Sequence, residues 1–377
     1  MSRTPKLIIC TVGTSIANGC PTQKDLFESQ ADWDDDDSII KKELKIKIDK
    51  ELPKLNIETK EFRKLSAELN TLDRLKLTEN DRVELISSDN LLGKVCSEKL
   101  KEIISVAYNM NSTQINIHKI EKLQIKNIQE LRKTGIKNLI STVINILEDS
   151  MYSHDIIFNP VGGYKFINPF MTILAMLYGK RSIYLFEYSQ ELLSIPALPI
   201  TFDLKVFERA KPVLDKIKKD TAIKKEEYLS LIPNLSESEK NLFLSFTESC
   251  EYNFVTLSPL AFVFLELEKS KKILKINSKA KKQLEELKKN EKAQSIINIL
   301  QKAQNPIWLH NNLDSWSTTD ILNLKCKDTG QRIFCFLENK SLRIIYICKN
   351  HKEYERIGNE FKKINFKNEE FEDLTIP

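Results

Sequence analysis

The sequence predicts an α/β chain built in parts: a parallel-sheet domain over residues 1–202, a helical connector over 203–270 and a small α+β domain over 271–377. Three observations predict it. In the first half, short apolar runs ending in loops of small residues alternate with helix-periodic stretches, the rhythm of βαβ units. From Asp203 to Ser270 the text is charged, helix-periodic and without a chemical motif. After a lysine-rich helical stretch, short strand patterns crowd into the residues between Leu322 and Lys349. At 377 residues the chain also exceeds one ordinary domain of about 100–200 residues.

Lys6 to Thr11 (KLIICT) is an apolar run that stops at Val-Gly-Thr-Ser, a buried first strand and its turn. Arg82 to Ser87 (RVELIS) and Asp155 to Asn159 (DIIFN) repeat that design, and Ser182 to Glu187 (SIYLFE) reads as the last strand. Helical periodicity fills Leu91 to Tyr108 and Asn127 to Leu147. The prolines of Ile195-Pro-Ala-Leu-Pro-Ile200 close the domain. Further on, Lys272 to Asn277 is a strand, Ser278 caps a long helix, and a second helical turn ends at Asn305-Pro306. Arg332 to Leu337 and Leu342 to Ile347 flank Glu338-Asn-Lys-Ser341, a hairpin turn.

Apolar residues make up 41% of the chain and charged residues 29%, enough for packed cores. The N-terminus lacks a basic, apolar and small-residue leader, and no segment approaches a membrane span, so a cytoplasmic protein with no membrane partner is expected. The 7 cysteines are scattered singly, without the spacing of a zinc site, and are expected to be core residues. The net charge of +5 is mild, with an acidic run at Asp34 to Asp37 and lysines gathered in the last third.

In a parallel sheet, ligands bind beyond the carboxyl ends of the strands. Thr11-Val-Gly-Thr-Ser15 and Asn159-Pro-Val-Gly-Gly-Tyr-Lys165 are the two unusual loops at such ends. Each offers glycines for close backbone approach; the first adds hydroxyls and N–H groups, the second a lysine, and together they suggest a phosphate or nucleotide site. Such turns are also ordinary structural punctuation. Neither fits a dinucleotide fingerprint or a P-loop. With Tyr184-Leu-Phe-Glu187 and Ile195-Pro-Ala-Leu-Pro199, these motifs resemble the CARF domains of type III CRISPR ancillary proteins. The resemblance implies a Rossmann-like homodimer that binds a cyclic oligoadenylate across its two-fold axis, cyclic tetra-adenylate being the ring we expect. It places Gly13, Thr14, Ser15, Gly162, Gly163 and Lys165 at the ligand, with Ser88 at the end of the RVELIS strand beside them. The resemblance implies that the ring is an allosteric activator; no metal and no cofactor are expected.

The effector half lacks the Arg-to-His spacing of a HEPN ribonuclease, and its histidines are too isolated for a zinc deaminase. Its order of a strand, helices, Leu309-His310 and a sheet carrying Gly330-Gln-Arg-Ile-Phe334 and His351-Lys-Glu-Tyr354 is similar to the RelE toxins, ribosome-dependent messenger RNA endonucleases. The resemblance assigns Lys325 and Arg332 to the phosphate, His351 to proton transfer, and Tyr354 to base stacking or proton transfer. Lys349 stands in for the family's late arginine. Metal-free RNA cleavage by the 2′-hydroxyl needs a base, an acid and cations for the charged transition state, and these side chains supply them. The ribosome and messenger RNA are the implied partners. Singly, Arg332 and Lys325 also suit a solvated sheet face, and His351 a helix cap. Two further readings stay open: a metal-dependent nuclease using Asp320 and Glu338-Asn-Lys340, and a non-enzymatic regulator with a DNA-binding winged helix in 203–270.

Overall fold

A computed structural model describes residues 4–51, 56–150, 153–186, 191–197, 204–232, 236–250, 253–289, 293–315, 321–325, 331–338, 340–361, 366 and 369–376. The chain divides into two compact units, Met1–Glu266 and Leu267–Pro377. Glu187, Pro199, Ile200, Asp320, Gly330 and Asn339, which figure in the expectations above, lie outside the described residues, as does the expected boundary at 202/203. Among the described residues no helix is long and apolar enough to cross a membrane.

The first unit is laid on β1 (Lys6–Thr11), whose residues are all buried. A lysine can open such a strand because its ammonium donates to the carbonyls of Leu75 and Lys76, while its backbone N–H donates to Asp81 Oδ1 at 2.6 Å. Helices α1 (Gln23–Ser29), α2 (Ser38–Glu51), α3 (Lys60–Leu65) and α4 (Ala67–Arg74) precede β2 (Arg82–Ser88). Then come α5 (Leu91–Ala107), β3 (Ile115–Ile120), and α6 (Ile128–Glu130), which runs through a π-helical segment (Leu131–Gly135) into α7 (Ile136–Ser150). The sheet is completed by β4 (Asp155–Asn159), α8 (Asn168–Leu177), β5 (Arg181–Leu185) and β6 (Leu192–Ile195).

The strand order is β3-β2-β1-β4-β5-β6, parallel except for the β5–β6 pair. The chain leaves β1 towards β2 and returns on its other side as β4, so a crevice opens at the carboxyl ends of β1 and β4. Two expectations are corrected here. The strand at Ser182 stops at Leu185, and the proline segment is preceded by a further strand that places Leu193 opposite Tyr184. Leu193, Ser194 and Ile195 are exposed, so β6 carries no buried alternation to read.

The connector is not only helical. Between α9 (Leu204–Asp220) and α12 (Pro259–Lys269) lie β7 (Ile223–Lys224), α10 (Lys225–Leu231), α11 (Glu237–Ser245), β8 (Thr247–Cys250) and β9 (Phe254–Leu257). The strands form an antiparallel sheet ordered β7-β9-β8. Phe207, Phe246 and Phe264 are its aromatic core, with the Phe207 and Phe264 rings stacked at 5.1 Å.

The second unit runs β10 (Ile273–Asn277), α13 (Ser278–Lys289), α14 (Gln294–Ala303), α15 (Pro306–Asn312), β11 (Leu313–Ser315), β12 (Leu322–Lys325), β13 (Arg332–Glu338), β14 (Ser341–Cys348), α16 (His351–Phe361) and β15 (Phe371–Asp373). Its sheet is ordered β11-β12-β13-β14-β10-β15, with only β10 and β14 parallel. Leu284, Leu287, Ile296 and Leu300 cover one face of it; Tyr354, Ile357 and Phe361 of α16 cover the other. The expected cap at Ser278 shifts by one residue: Asn277 Oδ1 accepts the Ala280 N–H at 2.8 Å, and Ser278 is the first helical residue. The thiols of Cys10, Cys20, Cys96, Cys335 and Cys348 are free and buried.

Candidate functional site

Two side-chain constellations lie where the loops were expected to carry chemistry, one in each unit. In the first, the loops after β1 and β4 are laced together. Thr11 Oγ1 donates to the Gly162 carbonyl at 2.7 Å. A Cβ on Gly13 would stand 2.7 Å from the Gly163 nitrogen, and one on Gly162 would stand 2.5 Å from the Thr11 carbonyl oxygen, so only glycine fits either place. Gly163 has a φ of +79°, a left-handed conformation that also favours glycine.

The depression between these loops is lined by Gly13, Thr14, Ser88 and Gly163, joined by Phe27, Asn90 and Tyr164. Lys165 is exposed and opens the short helical turn that follows. Ser15 turns inward: its hydroxyl donates to Glu68 Oε2 at 3.2 Å and accepts the Ala67 N–H at 3.2 Å. The Gly13 N–H also points inward, to Glu68 Oε1 at 2.7 Å. On the far wall Asn90 caps α5 through the Gly93 N–H at 2.8 Å and donates to Tyr164 Oη and Gln30 Oε1, each at 3.1 Å. Tyr164 Oη donates to Gln30 Oε1 at 2.9 Å. Burial pushes the Tyr164 phenol up, keeping it a neutral donor.

Phe27, Glu68 and Asn90 were not singled out from the sequence. Asn90 carried a signal, an asparagine just after a strand and before an apolar helix. Phe27 and Glu68 sit on helices remote in sequence and carried none.

In the second unit, Lys325 on β12 is paired with Arg332 on β13, which in turn faces Cys348 at the end of β14. The Arg332 guanidinium lies over the Tyr354 ring at 5.4 Å. Phe334 stacks with that ring at 5.1 Å and His351 at 5.8 Å. Burial pushes the Tyr354 phenol up, against the pull of Arg332. The His351 side chain is 63% exposed at the start of α16, with Nε2 at 3.5 Å from Glu355 Oε1. Lys325, Arg332, His351 and Tyr354 therefore share one end of the sheet. Lys349 turns elsewhere: its ammonium reaches Glu286 Oε2 at 3.2 Å, and its N–H donates to Glu353 Oε2 at 2.7 Å. The other oxygen of Glu353 accepts from Tyr346, whose phenol burial and Glu353 push up to about 12.

Residues 63–198 match the family model described as CRISPR-associated protein (Cas_APE2256). Over that span the chain is similar to a CRISPR-associated protein. The matched span runs from α3 through β6, so it contains Glu68, Ser88, Gly162, Gly163 and Lys165. The β1 loop and the whole second unit lie outside it. No curated protein matches the chain.

Proposed function

We propose that the chain is a cyclic oligoadenylate-controlled ribonuclease of type III CRISPR defence, acting as a homodimer. The observation that carries the reading is the meeting of two glycine loops at the β1–β4 crevice, one of them inside the CRISPR-associated span. Such a crevice, lined by Thr14, Ser88 and an aromatic wall of Phe27 and Tyr164, with the exposed Lys165 next along the chain, suits a ligand with both phosphates and bases. The ring would favour one arrangement of the dimer by its difference in affinity between states, and so raise the activity of the second unit.

In the second unit, Arg332 and Lys325 would neutralise the phosphate of the transition state. His351, exposed at the start of α16, would carry a proton to or from the 2′-hydroxyl or the leaving oxygen. Tyr354 seats both Arg332 and His351. The substrate is messenger RNA presented by the ribosome, whose decoding site would orient the strand. The test is cleavage of a messenger RNA on translating ribosomes, with and without a panel of cyclic oligoadenylates and with EDTA. Cuts that depend on both ribosome and one ring, and survive EDTA, are expected; cleavage that requires a divalent metal would defeat the mechanism.

The order of helices and a small antiparallel sheet from α9 to β9 resembles a winged helix and favours a second reading, a ring-controlled regulator that binds nucleic acid rather than cutting it. The charge of α11 speaks against it: Glu237 and Glu239 occupy the first turn of the helix that would enter a groove. A His351→Ala protein that keeps full biological effect would favour the regulator.

A further inference from the structure

Glu68 sits on α4 in a stretch that reads as a solvated helix face, yet its side chain is completely buried beneath the two crevice loops. Its carboxylate accepts the Gly13 N–H at 2.7 Å and the Ser15 hydroxyl at 3.2 Å. A Cβ on Gly162 would stand 2.0 Å from Glu68 Oε1, so the same oxygen is pressed against the second loop. A buried carboxylate is costly to desolvate, and these two hydrogen bonds partner both of its oxygens. They use the donors that a glycine loop at a short helical turn would otherwise turn towards an external anion.

We propose that Glu68 is an internal anion that holds the Gly13 and Ser15 donors in the ligand-free chain and thereby limits how tightly the loops take a polyphosphate. The proposal rests on the reading of this crevice as an anion site. A phosphate entering it meets a fixed negative charge behind the Gly13 N–H, and gains that donor fully only when the carboxylate yields. Affinity is then lower than the loop geometry alone would give, and the site stays empty until its ligand is abundant. Glu68 touches no ligand in this scheme; it is a positioning residue that acts through Gly13 and Ser15.

The test is calorimetric titration of the full chain and its Glu68→Gln variant with two probes, cyclic tetra-adenylate and inorganic tripolyphosphate. Glutamine keeps the size and one acceptor oxygen while removing the charge, so Glu68→Gln is expected to bind tripolyphosphate about tenfold more tightly or better. A merely structural glutamate would give no gain. Equal or weaker tripolyphosphate binding by the variant, or no binding by either protein, overturns the proposal. A tenfold gain for tripolyphosphate with no binding of the ring supports the role of Glu68 and defeats the cyclic oligoadenylate reading instead. Glu68→Asp keeps the charge but draws it back from Gly13; if the glutamine variant does not fold, a smaller gain from aspartate supports the proposal and none overturns it.

Discussion

The Thr11 hydroxyl donates to the Gly162 carbonyl at 2.7 Å, joining positions 151 residues apart in sequence. Both groups are buried. The bond makes the β1 and β4 loops one piece, so whatever occupies the crevice meets a prebuilt surface. Thr11→Val keeps the shape but leaves the carbonyl unpaired. It is expected to lower stability by about 1–3 kcal/mol, read by urea unfolding, and to weaken ring binding in the same protein. Full stability with normal binding would show that the loops are held by other contacts.

A second prediction concerns acid. Burial alone would push the Glu84 carboxyl up, but hydrogen bonds from His118 at 2.6 Å and Asn116 at 3.0 Å, with the charge of Arg82, hold it below the usual range. Its folded value is thus depressed relative to the unfolded chain, where a glutamate titrates near about 4.3. The stability it contributes is present above that pH and is lost as pH falls through the lower folded value. Urea midpoints measured between about pH 3 and pH 6 should fall more steeply in the natural chain than in Glu84→Gln. Parallel profiles would assign the acid sensitivity to other groups.

Arg332 separates chemistry from folding. Its guanidinium packs on Tyr354 at the end of the sheet and is half-buried, so little stability depends on it. Arg332→Ala is expected to cost about 0.5–1 kcal/mol in unfolding but to lower ribosome-dependent cleavage by roughly 100-fold or more. A variant that folds and still cleaves at the natural rate would remove Arg332 from the mechanism.

Much of the sheet was readable because β1 and β4 are buried almost throughout and spell apolar runs, as parallel strands do, and β2 departs from that only by its buried Glu84 and its polar ends. The strands that were missed explain themselves. β7 is a two-residue strand, β6 is largely exposed, and β3 (INIHKI) keeps only its end residues buried. The α13 cap was misplaced by one because asparagine and serine stand side by side, and either can cap a helix. At the crevice, the glycines were visible as loop residues. Glu68 was not, since a carboxylate in Ala-Glu-Leu-Asn-Thr-Leu spells an amphipathic helix, and nothing local says that its polar face is turned towards another loop. In the second unit the order Lys325, Arg332, His351, Tyr354 was readable, whereas the departure of Lys349 towards Glu286 depends on α13, more than sixty residues earlier.

Lys349 supplies the last prediction. Its ammonium pairs with Glu286, both side chains being more than half exposed, at 55% and 61%. A surface pair of this kind contributes about 0–1 kcal/mol. Lys325, by contrast, stands beside Arg332 in register and is exposed at the end of its strand. Lys349→Ala is therefore expected to leave both unfolding and cleavage within about threefold of the natural chain, while Lys325→Ala lowers cleavage by roughly tenfold or more at unchanged stability. Single-turnover cleavage on ribosome complexes distinguishes the two. If Lys349→Ala proved the more damaging, Lys349 would have to leave Glu286 when RNA binds, and the phosphate site would lie closer to the start of α16 than the arrangement of Arg332 and Lys325 puts it.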